Sequence, residues 1–402
     1  YDIKGYTLRL TGNAKGTLTF QGQTPWGSTL IKRFSFVGSR YPIEVEVSVT
    51  RGKGGEPPSL VLTSQADNKG AAGDAVFEGP LALIGNKLKY EGDLVGENKG
   101  RELRRSVSWA GFGYTYFLFA LLPDGEAELT LSVKKTGPGF LMDVRSKAGT
   151  DAEGKSRYTL FIGPKDLDVM KAIGRGLEQS IDLGWWLFAI VSAPVLQMLR
   201  FSHRFTGSYG LDIILLTILI KLLLAPLTHK SFASMKAMQK LQPQMQRIRE
   251  RFKDEKEKMN KEIMELYKRN KVNPLGGCLP MLLQFPVFIG LYNSLRTPIE
   301  LRHAQFLWIK DLSRPDWESL PMTVLGWNIG IPILVLFMGA SMFVQQWMTP
   351  SIGDPNQRRM MYMMPVIFTV IFVNFPSGLT IYWLVNNVLT IGQQYLINRM
   401  TK

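Results

Sequence analysis

The sequence has few of the residues from which catalytic and metal sites are usually built. It contains 1 cysteine in 402 residues, which excludes a disulfide framework and a zinc site of clustered cysteines. Its 3 histidines, His203, His229 and His303, are too far apart in sequence to predict a histidine-built metal site. The loop G-x-x-x-x-G-K-[ST] does not occur, so ATP hydrolysis of the P-loop kind is not indicated. We therefore predict no catalytic residue, no metal and no cofactor.

Charged residues are also scarce, but most of those present are positive. Only 20% of the residues are charged and 45% are hydrophobic, yet the net charge is +15. This mixture is typical neither of a soluble enzyme nor of a disordered basic tail. At about 150 residues per domain, the length predicts two or three domains.

Residues 1–165 are predicted to form an all-β domain. Short runs in which apolar and polar residues alternate, such as 43–49, are separated by Gly, Pro and Asp turns, and this pattern favours a sandwich. The apolar run 109–122 is too short to cross a bilayer, so we interpret it as core strands. The domain contains no histidine, which removes the usual acid–base catalyst. Glu44 and Glu46 alternate with valines and are expected to face solvent.

Residues 166–206 are predicted to form amphipathic helices that lie in the membrane interface. An apolar stripe at helical spacing consists of Leu167, Met170, Ile173, Leu177 and Ile181. The tryptophans that follow it, Trp185 and Trp186, favour the lipid headgroup region. The alternative is a membrane span over residues 185–199 that is interrupted at Pro194.

Five transmembrane helices are predicted within a core of residues 207–399. A helix needs roughly 20 apolar residues to cross a bilayer, and the candidate spans are 209–228, 278–297, 322–346, 361–375 and 377–397. The fourth span covers only about 22 Å at the helical rise, whereas the hydrocarbon core is about 30 Å thick. Such a short span predicts local thinning of the bilayer.

The placement of lysine and arginine predicts which loops are cytosolic. Loop 229–277 is crowded with basic residues, whereas loop 298–321 has balanced charge and is placed outside. The β domain precedes the first span and is also placed outside. Because the chain begins at Tyr1 without a methionine, we expect an uncleaved anchor span upstream of it.

Within the basic loop, residues 229–272 have helical periodicity and predict a helical hairpin on the cytosolic face. Residues 253–258 form its charged turn, and Pro243 is expected to kink its first arm. The charge is either a solvated surface or a docking surface for anionic lipid or ribosomal RNA. The candidate docking residues are Lys236, Lys240, Arg247, Arg249, Arg251, Arg358 and Arg359.

Lys221 is the candidate functional residue inside the first predicted span. A cation at this depth costs several kcal/mol unless it faces water or a partner. Thr217 lies one helical turn before it on the same face. One interpretation is that the lysine snorkels toward the interface. The other is that it lies in a hydrated functional cavity.

Polar residues on the other spans are candidates for the same cavity. Gln284 lies one turn before Phe288, and Tyr382 lies one turn before Asn386. Polar side chains inside a membrane turn from lipid toward a protein interior or a wet cavity, although each is also able to join helices by hydrogen bonds. Together with Lys221, they favour an amphiphilic groove.

Several sequence motifs occur together in the helical half. They are Ala225-Pro-Leu-Thr228, Leu241-Gln-Pro243, Val272-Asn-Pro-Leu-Gly-Gly-Cys-Leu-Pro280, Gln284-Phe-Pro-Val-Phe288, Glu300-Leu-Arg, Trp308-Ile-Lys-Asp-Leu312, Met364-Pro-Val-Ile-Phe-Thr369 and Phe375-Pro-Ser-Gly-Leu379. In this order they resemble the YidC/Oxa/Alb family of membrane-protein insertases over residues 165–399. The external β domain is similar to that of the Gram-negative branch, whose fold is a β-super-sandwich.

The resemblance implies roles for individual residues. The family's groove carries a positive residue, normally arginine, at the position of Lys221. Lysine differs from arginine because it is a point charge that can lose its proton in a dry site. The residues that match other positions lining the groove or touching substrate are Thr217, Gln284, Phe288, Tyr382 and Trp383. Cys278 is expected to be a small buried thiol without a chemical role.

The implied function is insertion of nascent hydrophobic segments into the bilayer, alone or with the Sec translocon. A client's polar or acidic flank would enter the hydrated groove beside Lys221, and its apolar stretch would then pass between the spans into lipid. The implied partners are nascent membrane proteins, the ribosome, the Sec translocon and anionic lipids, without DNA. The implied location is the bacterial inner membrane, with multiple spans and the N-terminal domain in the periplasm.

A second class of function is a polytopic transporter or channel that uses Lys221 as an intramembrane substrate site. Transporters of this kind are often built from internal repeats with paired broken helices. No repeat is evident in the sequence. Flux of ions or solutes through liposomes, compared with insertion of a small coat protein, separates the two functions.

Overall fold

The computed structural model divides into two compact units, Tyr1–Asp182 and Leu183–Lys402. The residues that the structure describes are 14–23, 29–38, 40–50, 59–67, 78–90, 103–104, 107–124, 129–136, 139–147, 155–181, 186–273, 279–296, 299–324, 327–349 and 355–400. The first unit is rich in strands and the second in helices. This confirms the predicted order of a sheet-rich domain followed by a helical region.

Two antiparallel sheets make up most of the described part of the first unit. The strands are β1 Lys15–Gln23, β2 Thr29–Val37, β3 Pro42–Thr50, β4 Ser59–Asp67, β5 Gly79–Ile84, β6 Lys87–Tyr90, β7 Leu103–Arg104, β8 Val107–Gly113, β9 Phe117–Pro123, β10 Leu129–Thr136, β11 Gly139–Lys147 and β12 Lys155–Pro164. The larger sheet has 8 strands in the order β1-β2-β3-β12-β9-β8-β5-β6, and the smaller has 4 in the order β4-β11-β10-β7.

Strand β3 has the alternation that its sequence predicts. Val45 and Val47 are buried. The intervening Glu46 pairs with Arg33 and Arg157 on the neighbouring strands, each at 3.3 Å. Successive side chains of a strand point to opposite faces of the sheet. The half-buried strand predicted over residues 43–49 is therefore confirmed.

The hydrophobic core of the first unit joins the two sheets. Leu131 and Met142 of the smaller sheet belong to the same buried cluster as Phe112 and Tyr158 of the larger one. Strands β8 and β9 account for the apolar run 109–122. That run is confirmed as core strands.

The first unit ends in two short helical elements instead of one long amphipathic helix. Helix α1, Leu167–Ile173, begins where Asp166 Oδ1 accepts hydrogen bonds from the backbone N–H groups of the next turn at 2.9 Å. It ends because Gly174, Arg175 and Gly176 all have left-handed φ angles, of 76°, 58° and 75°. The predicted apolar stripe is thus split between α1 and the 3₁₀ turn Leu177–Ser180.

The second unit is built from helices. They are α2 Trp186–Thr206, α3 Tyr209–Arg251, α4 Lys256–Arg269, α5 Leu279–Arg296, α6 Ile333–Met348, α7 Pro355–Phe372 and α8 Ser377–Met400. Within the described ranges, α3 alone is long and apolar enough to cross a membrane by length and composition. Shorter apolar helical stretches are Leu282–Leu295, Ile333–Met348 and Arg359–Phe372.

Helix α3 is longer than predicted. The sequence suggested a span over residues 209–228 and a separate arm kinked at Pro243. One helix of 43 residues runs through both Pro226 and Pro243, which corresponds to about 64 Å at the helical rise. Helix α4 packs back against its C-terminal half, where the Tyr267 hydroxyl donates to Met245 Sδ at 3.3 Å.

The candidate span over residues 322–346 is wrong at its beginning. Pro321–Val324 and Trp327–Gly330 form an antiparallel strand pair, β13 and β14. The helix that follows, α6, has only 16 residues and begins after Pro332. Proline keeps the residue before it out of the helical region, so the helix cannot extend backwards.

Helix α2 packs closely on α5. A Cβ atom on Gly290 would lie 2.7 Å from Val191 Cγ1, and Ser294 Oγ donates to the Ser192 carbonyl oxygen at 2.8 Å. The helix continues through Pro194 over 21 residues. Exposed apolar side chains follow one another along it at helical spacing: Ile190, Met198, Phe201 and Phe205.

The segment between α5 and α6 fixes the first turns of two helices. Asp316 Oδ2 accepts a hydrogen bond from the backbone N–H of Leu334 in α6 at 2.7 Å. The carbonyl oxygen of Arg314 accepts from both the N–H and the hydroxyl of Ser377 in α8, at 2.8 and 2.6 Å. Asp316 is 1% exposed, and this burial raises the pKa of its carboxyl group.

Replacing Asp316 tests this capping interaction. Asp316→Ala removes the acceptor and is expected to lower the free energy of unfolding by about 0.5–2 kcal/mol, the usual cost of a lost helix cap. Asp316→Asn keeps an acceptor oxygen and should cost less. Thermal unfolding in detergent micelles measures both changes. Equal destabilisation by the two variants would contradict the assignment of Asp316 as a cap.

The raised pKa of Asp316 predicts that the stability of the protein depends on pH. The folded pKa lies above the ordinary 3.8, so between these two values the folded protein binds more protons than the unfolded chain. Stability from Asp316 is therefore complete below about pH 4 and is lost as pH rises through the folded pKa. The Tm of Asp316→Asn minus that of the native protein should increase over this window. A difference that is constant with pH would rule out this titration.

Candidate functional site

The site is built around Lys221, where α3 meets α8. Lys221 Nζ donates to Thr390 Oγ1 at 2.6 Å and to Asn386 Oδ1 at 3.4 Å. Gln393, one turn further along α8, donates from Nε2 to the Ala225 carbonyl oxygen at 3.4 Å. Two successive turns of α3 are thus hydrogen-bonded to one polar row of α8. Both hydrogen bonds of the ammonium are to neutral acceptors.

Thr390 is a site residue that sequence reasoning missed. Its hydroxyl donates to the Asn386 carbonyl oxygen at 2.6 Å, so its lone pairs remain for the ammonium of Lys221. A threonine that bonds to its own helix is common and attracts no notice in a sequence. The available signal was spacing, since Tyr382, Asn386 and Thr390 are four residues apart on one helix face.

Thr217 lies in the same stretch of α3, one turn before Lys221. It is 1% exposed, and its hydroxyl donates to the Ile213 carbonyl oxygen at 2.6 Å. Its donor is therefore satisfied within its own helix.

Gln284 and Tyr382 form a second polar contact, between α5 and α8. Gln284 Nε2 donates to the Tyr382 hydroxyl oxygen. Tyr382 is 1% exposed, and Gln284 is half-buried. The structure thus pairs these two predicted residues with each other, one turn along α8 from Asn386.

Phe288 and Trp383 belong to an aromatic cluster that joins α5, α7 and α8. The ring centroids of Phe288 and Trp383 are 5.1 Å apart, edge to face. Trp383 also contacts Phe368 at 5.5 Å and Phe372 at 5.2 Å. Its indole N–H is buried without a hydrogen-bond partner.

The other polar row of α8 serves helix packing. Asn387 Nδ2 donates to Ser341 Oγ at 3.0 Å, and Gln394 Nε2 donates to the Met348 carbonyl oxygen at 2.7 Å. Both bonds attach α8 to α6. The helix therefore presents one polar face to Lys221 and another to α6.

The candidate docking residues do not converge on the Lys221 site. Lys236 and Arg249 are half-buried on the C-terminal half of α3, and Lys240, Arg247 and Arg251 are exposed there. On α7, Arg359 is exposed, whereas the side chain of Arg358 lies outside the described part. Cys278 and the motif residues 274–277 also lie outside the described residues. No cluster of metal-ligating side chains occurs within the described ranges.

Comparison with known proteins assigns both units to one family. A family model described as "60Kd inner membrane protein" matches residues 201–402, and one described as "YidC periplasmic domain" matches residues 1–198. The chain is 43% identical to the membrane protein insertase YidC of Pelobacter propionicus over 98% of this chain and 73% of that protein. It is 45% identical to that of Geobacter sulfurreducens over 96% of this chain and 71% of the relative.

A solved structure is also similar. It is described as an active YidC insertase crystal structure with the first transmembrane domain resolved. The two chains are 20% identical, with a TM-score of 0.45, over 98% of this chain and 81% of that one.

The contact between Gln284 and Tyr382 predicts a measurable coupling energy. Tyr382→Phe removes the hydroxyl oxygen and leaves the half-buried amide of Gln284 without this partner. Interhelical side-chain hydrogen bonds in membrane proteins contribute about 0.6 kcal/mol on average, with a maximum near 1.7. Unfolding free energies in micelles for Tyr382→Phe, Gln284→Met and the double variant should give a coupling in that range. Strictly additive effects would show that the two side chains do not bond in solution.

Proposed function

Since the chain belongs to the YidC family of membrane protein insertases, we propose that it offers nascent hydrophobic segments a positively charged groove at Lys221 and releases them into the bilayer. It is accordingly an insertase and not an enzyme, an inner-membrane protein with a periplasmic domain. The observation that carries the groove mechanism is the hydrogen bonding of Lys221 to neutral acceptors on α8.

The proposed arrangement in the membrane has five spans. They are the N-terminal half of α3 and helices α5, α6, α7 and α8. The C-terminal half of α3 and helix α4 form the cytosolic hairpin, because this part of the chain is rich in lysine and arginine. Helix α2 lies in the periplasmic interface, with the exposed stripe that contains Phe201 and Phe205 toward lipid. The periplasmic domain is a β-super-sandwich.

The positive charge of Lys221 lowers the cost of bringing a client's acidic flank into the membrane. The energy between two charges increases as the dielectric constant falls, so an ammonium held by neutral groups attracts a carboxylate strongly there. A carboxylate carries a full negative charge, whereas the hydroxyl of Thr390 and the amide oxygen of Asn386 offer the ammonium only partial charges. A carboxylate is therefore able to displace Thr390 or Asn386 as the partner of Lys221.

Transfer of the apolar part of the client supplies the energy. A segment of roughly 20 apolar residues gains on the order of 10 kcal/mol in the bilayer, so no nucleotide is required. The exit path is the seam between α5 and α7, where the rings of Phe288 and Phe372 lie 5.9 Å apart. For a segment to pass, this contact and the neighbouring bond between Gln284 and Tyr382 must separate.

The short apolar stretches favour thinning of the bilayer at the groove. The stretch Arg359–Phe372 is about 21 Å long at the helical rise, and α6, with 16 residues, is about 24 Å long. Both are shorter than a hydrocarbon core of about 30 Å. Local thinning shortens the distance that a client's hydrophilic flank must cross.

The cytosolic hairpin is the proposed docking surface for the ribosome and for anionic lipids. Its exposed basic residues include Lys240, Arg247 and Arg251, with Arg359 on α7. Phosphate groups of RNA and of lipid headgroups are both attracted by such a surface. Cooperation with the Sec translocon is a further proposal, drawn from the family resemblance.

Reversing the charge of Lys221 tests the groove mechanism. Lys221→Glu is expected to abolish insertion of a client with an acidic external flank, because two carboxylates then repel at the site. Lys221→Arg should retain most of the activity, since only positive potential is needed. Protease protection of the client in proteoliposomes measures insertion.

Lys230 provides the matched control for Lys221. It lies on the same helix, is exposed and belongs to the proposed cytosolic part of α3. Lys230→Glu changes the net charge by the same amount and should leave insertion close to normal. Normal insertion by Lys221→Glu would refute the groove mechanism.

Crosslinking to a stalled nascent chain tests the path. Photoreactive residues at Thr217, Phe288 and Tyr382 are expected to crosslink an apolar client segment. Leu336 on α6, which is 55% exposed, should crosslink weakly in comparison. Because Tyr382 is 1% exposed, its crosslink requires the seam to open. Crosslinks from Leu336 without any from the other three positions would exclude this path.

A further inference from the structure

The hydroxyl of Thr390 has a fixed orientation beside Lys221. Its hydrogen is directed to the Asn386 carbonyl oxygen, 2.6 Å away, and its oxygen lies 2.6 Å from Lys221 Nζ. A hydroxyl carries one donor and two acceptor lone pairs. With the donor engaged in its own helix, Thr390 presents its oxygen to Lys221 as an acceptor.

We propose that Thr390 is a positioning residue that holds the Lys221 ammonium against α8 and thereby makes the insertase selective for clients with acidic flanks. The proposal rests on the function of Lys221 proposed above. It concerns a different residue and a different property, namely the preference for acidic over neutral clients.

The first argument is the strength of the hydrogen bond between Thr390 and the Lys221 ammonium. A neutral hydroxyl binds the ammonium well enough to keep the long lysine stem from reaching toward the interface. It binds more weakly than a carboxylate does. An aspartate or glutamate at position 390 would neutralise the charge permanently, and an apolar residue would leave the ammonium free to snorkel. Threonine binds the ammonium with intermediate strength. The charge of Lys221 therefore stays in the groove and remains available to a client.

The second argument is the position of the Thr390 acceptor along α8. Thr390 lies four residues beyond Asn386, which is about 6 Å nearer the proposed cytosolic end. The ammonium is 2.6 Å from Thr390 and 3.4 Å from Asn386, so it lies nearer the lower acceptor. A client that arrives from the cytosol meets the charge there. The Asn386 oxygen lies one turn nearer the proposed periplasmic end of α8. It is therefore the next acceptor for the ammonium in the direction of insertion.

The test uses the full chain in proteoliposomes and two clients that differ only in their external flank, with two aspartates or two asparagines. Thr390→Val has nearly the same shape as threonine but lacks the acceptor. It is expected to lower the ratio of acidic to neutral client insertion about threefold, which corresponds to the average energy of one interhelical hydrogen bond in a membrane protein. Thr390→Ser keeps the hydroxyl and should restore the ratio.

Thr380 provides a matched control on the same helix. It is 1% exposed, and its hydroxyl also donates to the carbonyl oxygen four residues before it, that of Pro376, at 3.4 Å. Thr380→Val should leave the ratio unchanged. A second comparison is made in the Lys221→Met background, where Thr390→Val should have no further effect on the ratio because its partner is already gone.

Each other outcome overturns a definite part of this scheme. If Thr390→Val lowers the ratio equally with or without Lys221, or lowers insertion of both clients to the same extent, its role is structural. If Thr390→Val changes insertion of neither client, the positioning role is excluded. If Lys221→Met lowers the ratio and Thr390→Val does not, only the role of Thr390 fails. If Lys221→Met leaves the ratio unchanged, the proposed function of Lys221 fails as well.

Discussion

The helical half of this protein depends on how one positive charge is held where helices α3 and α8 meet. A buried ammonium without partners is expensive, and one paired with a carboxylate has no charge left to offer. Lys221 avoids both extremes, because its partners Thr390 and Asn386 are neutral. The remaining polar contacts of α8, with Gln284 on one side and with Ser341 on another, fix that helix in place. The charge of Lys221 is therefore held between the two helices without being neutralised.

Much of the fold follows from the sequence where periodicity is regular. Strand β3 alternates strictly, and its valines are buried as expected. The last helix was predicted over residues 377–397 and is observed at Ser377–Met400. Its boundary is clear because Asn374 and Pro376 interrupt the apolar run immediately before it. Strand β3 and the start of α8 could be predicted because each depends on residues that are adjacent in the chain.

Other features of the fold depend on contacts between residues that are distant in the sequence, which a local sequence pattern does not predict. Residues 322–346 are apolar enough for a span, but the first third pairs as strands β13 and β14. The sequence predicted a span over residues 209–228 and a separate helical arm, yet one helix continues through both Pro226 and Pro243. Packing of α4 and α8 on its C-terminal half, through Tyr267 and Ile397, supports it there. Lys221 was recognisable because a charge in an apolar run is rare. Thr390 was not, because its importance comes from a residue on another helix.

The continuity of α3 has a mechanical consequence. Lys221 and the basic C-terminal half of α3 lie on one continuous helix of 43 residues. Pro226 lies five residues beyond Lys221, and a proline within a helix removes one backbone hydrogen bond and makes that point the easiest to bend. A force on the C-terminal half of α3 would therefore bend the helix close to Lys221 before it bent elsewhere in that turn.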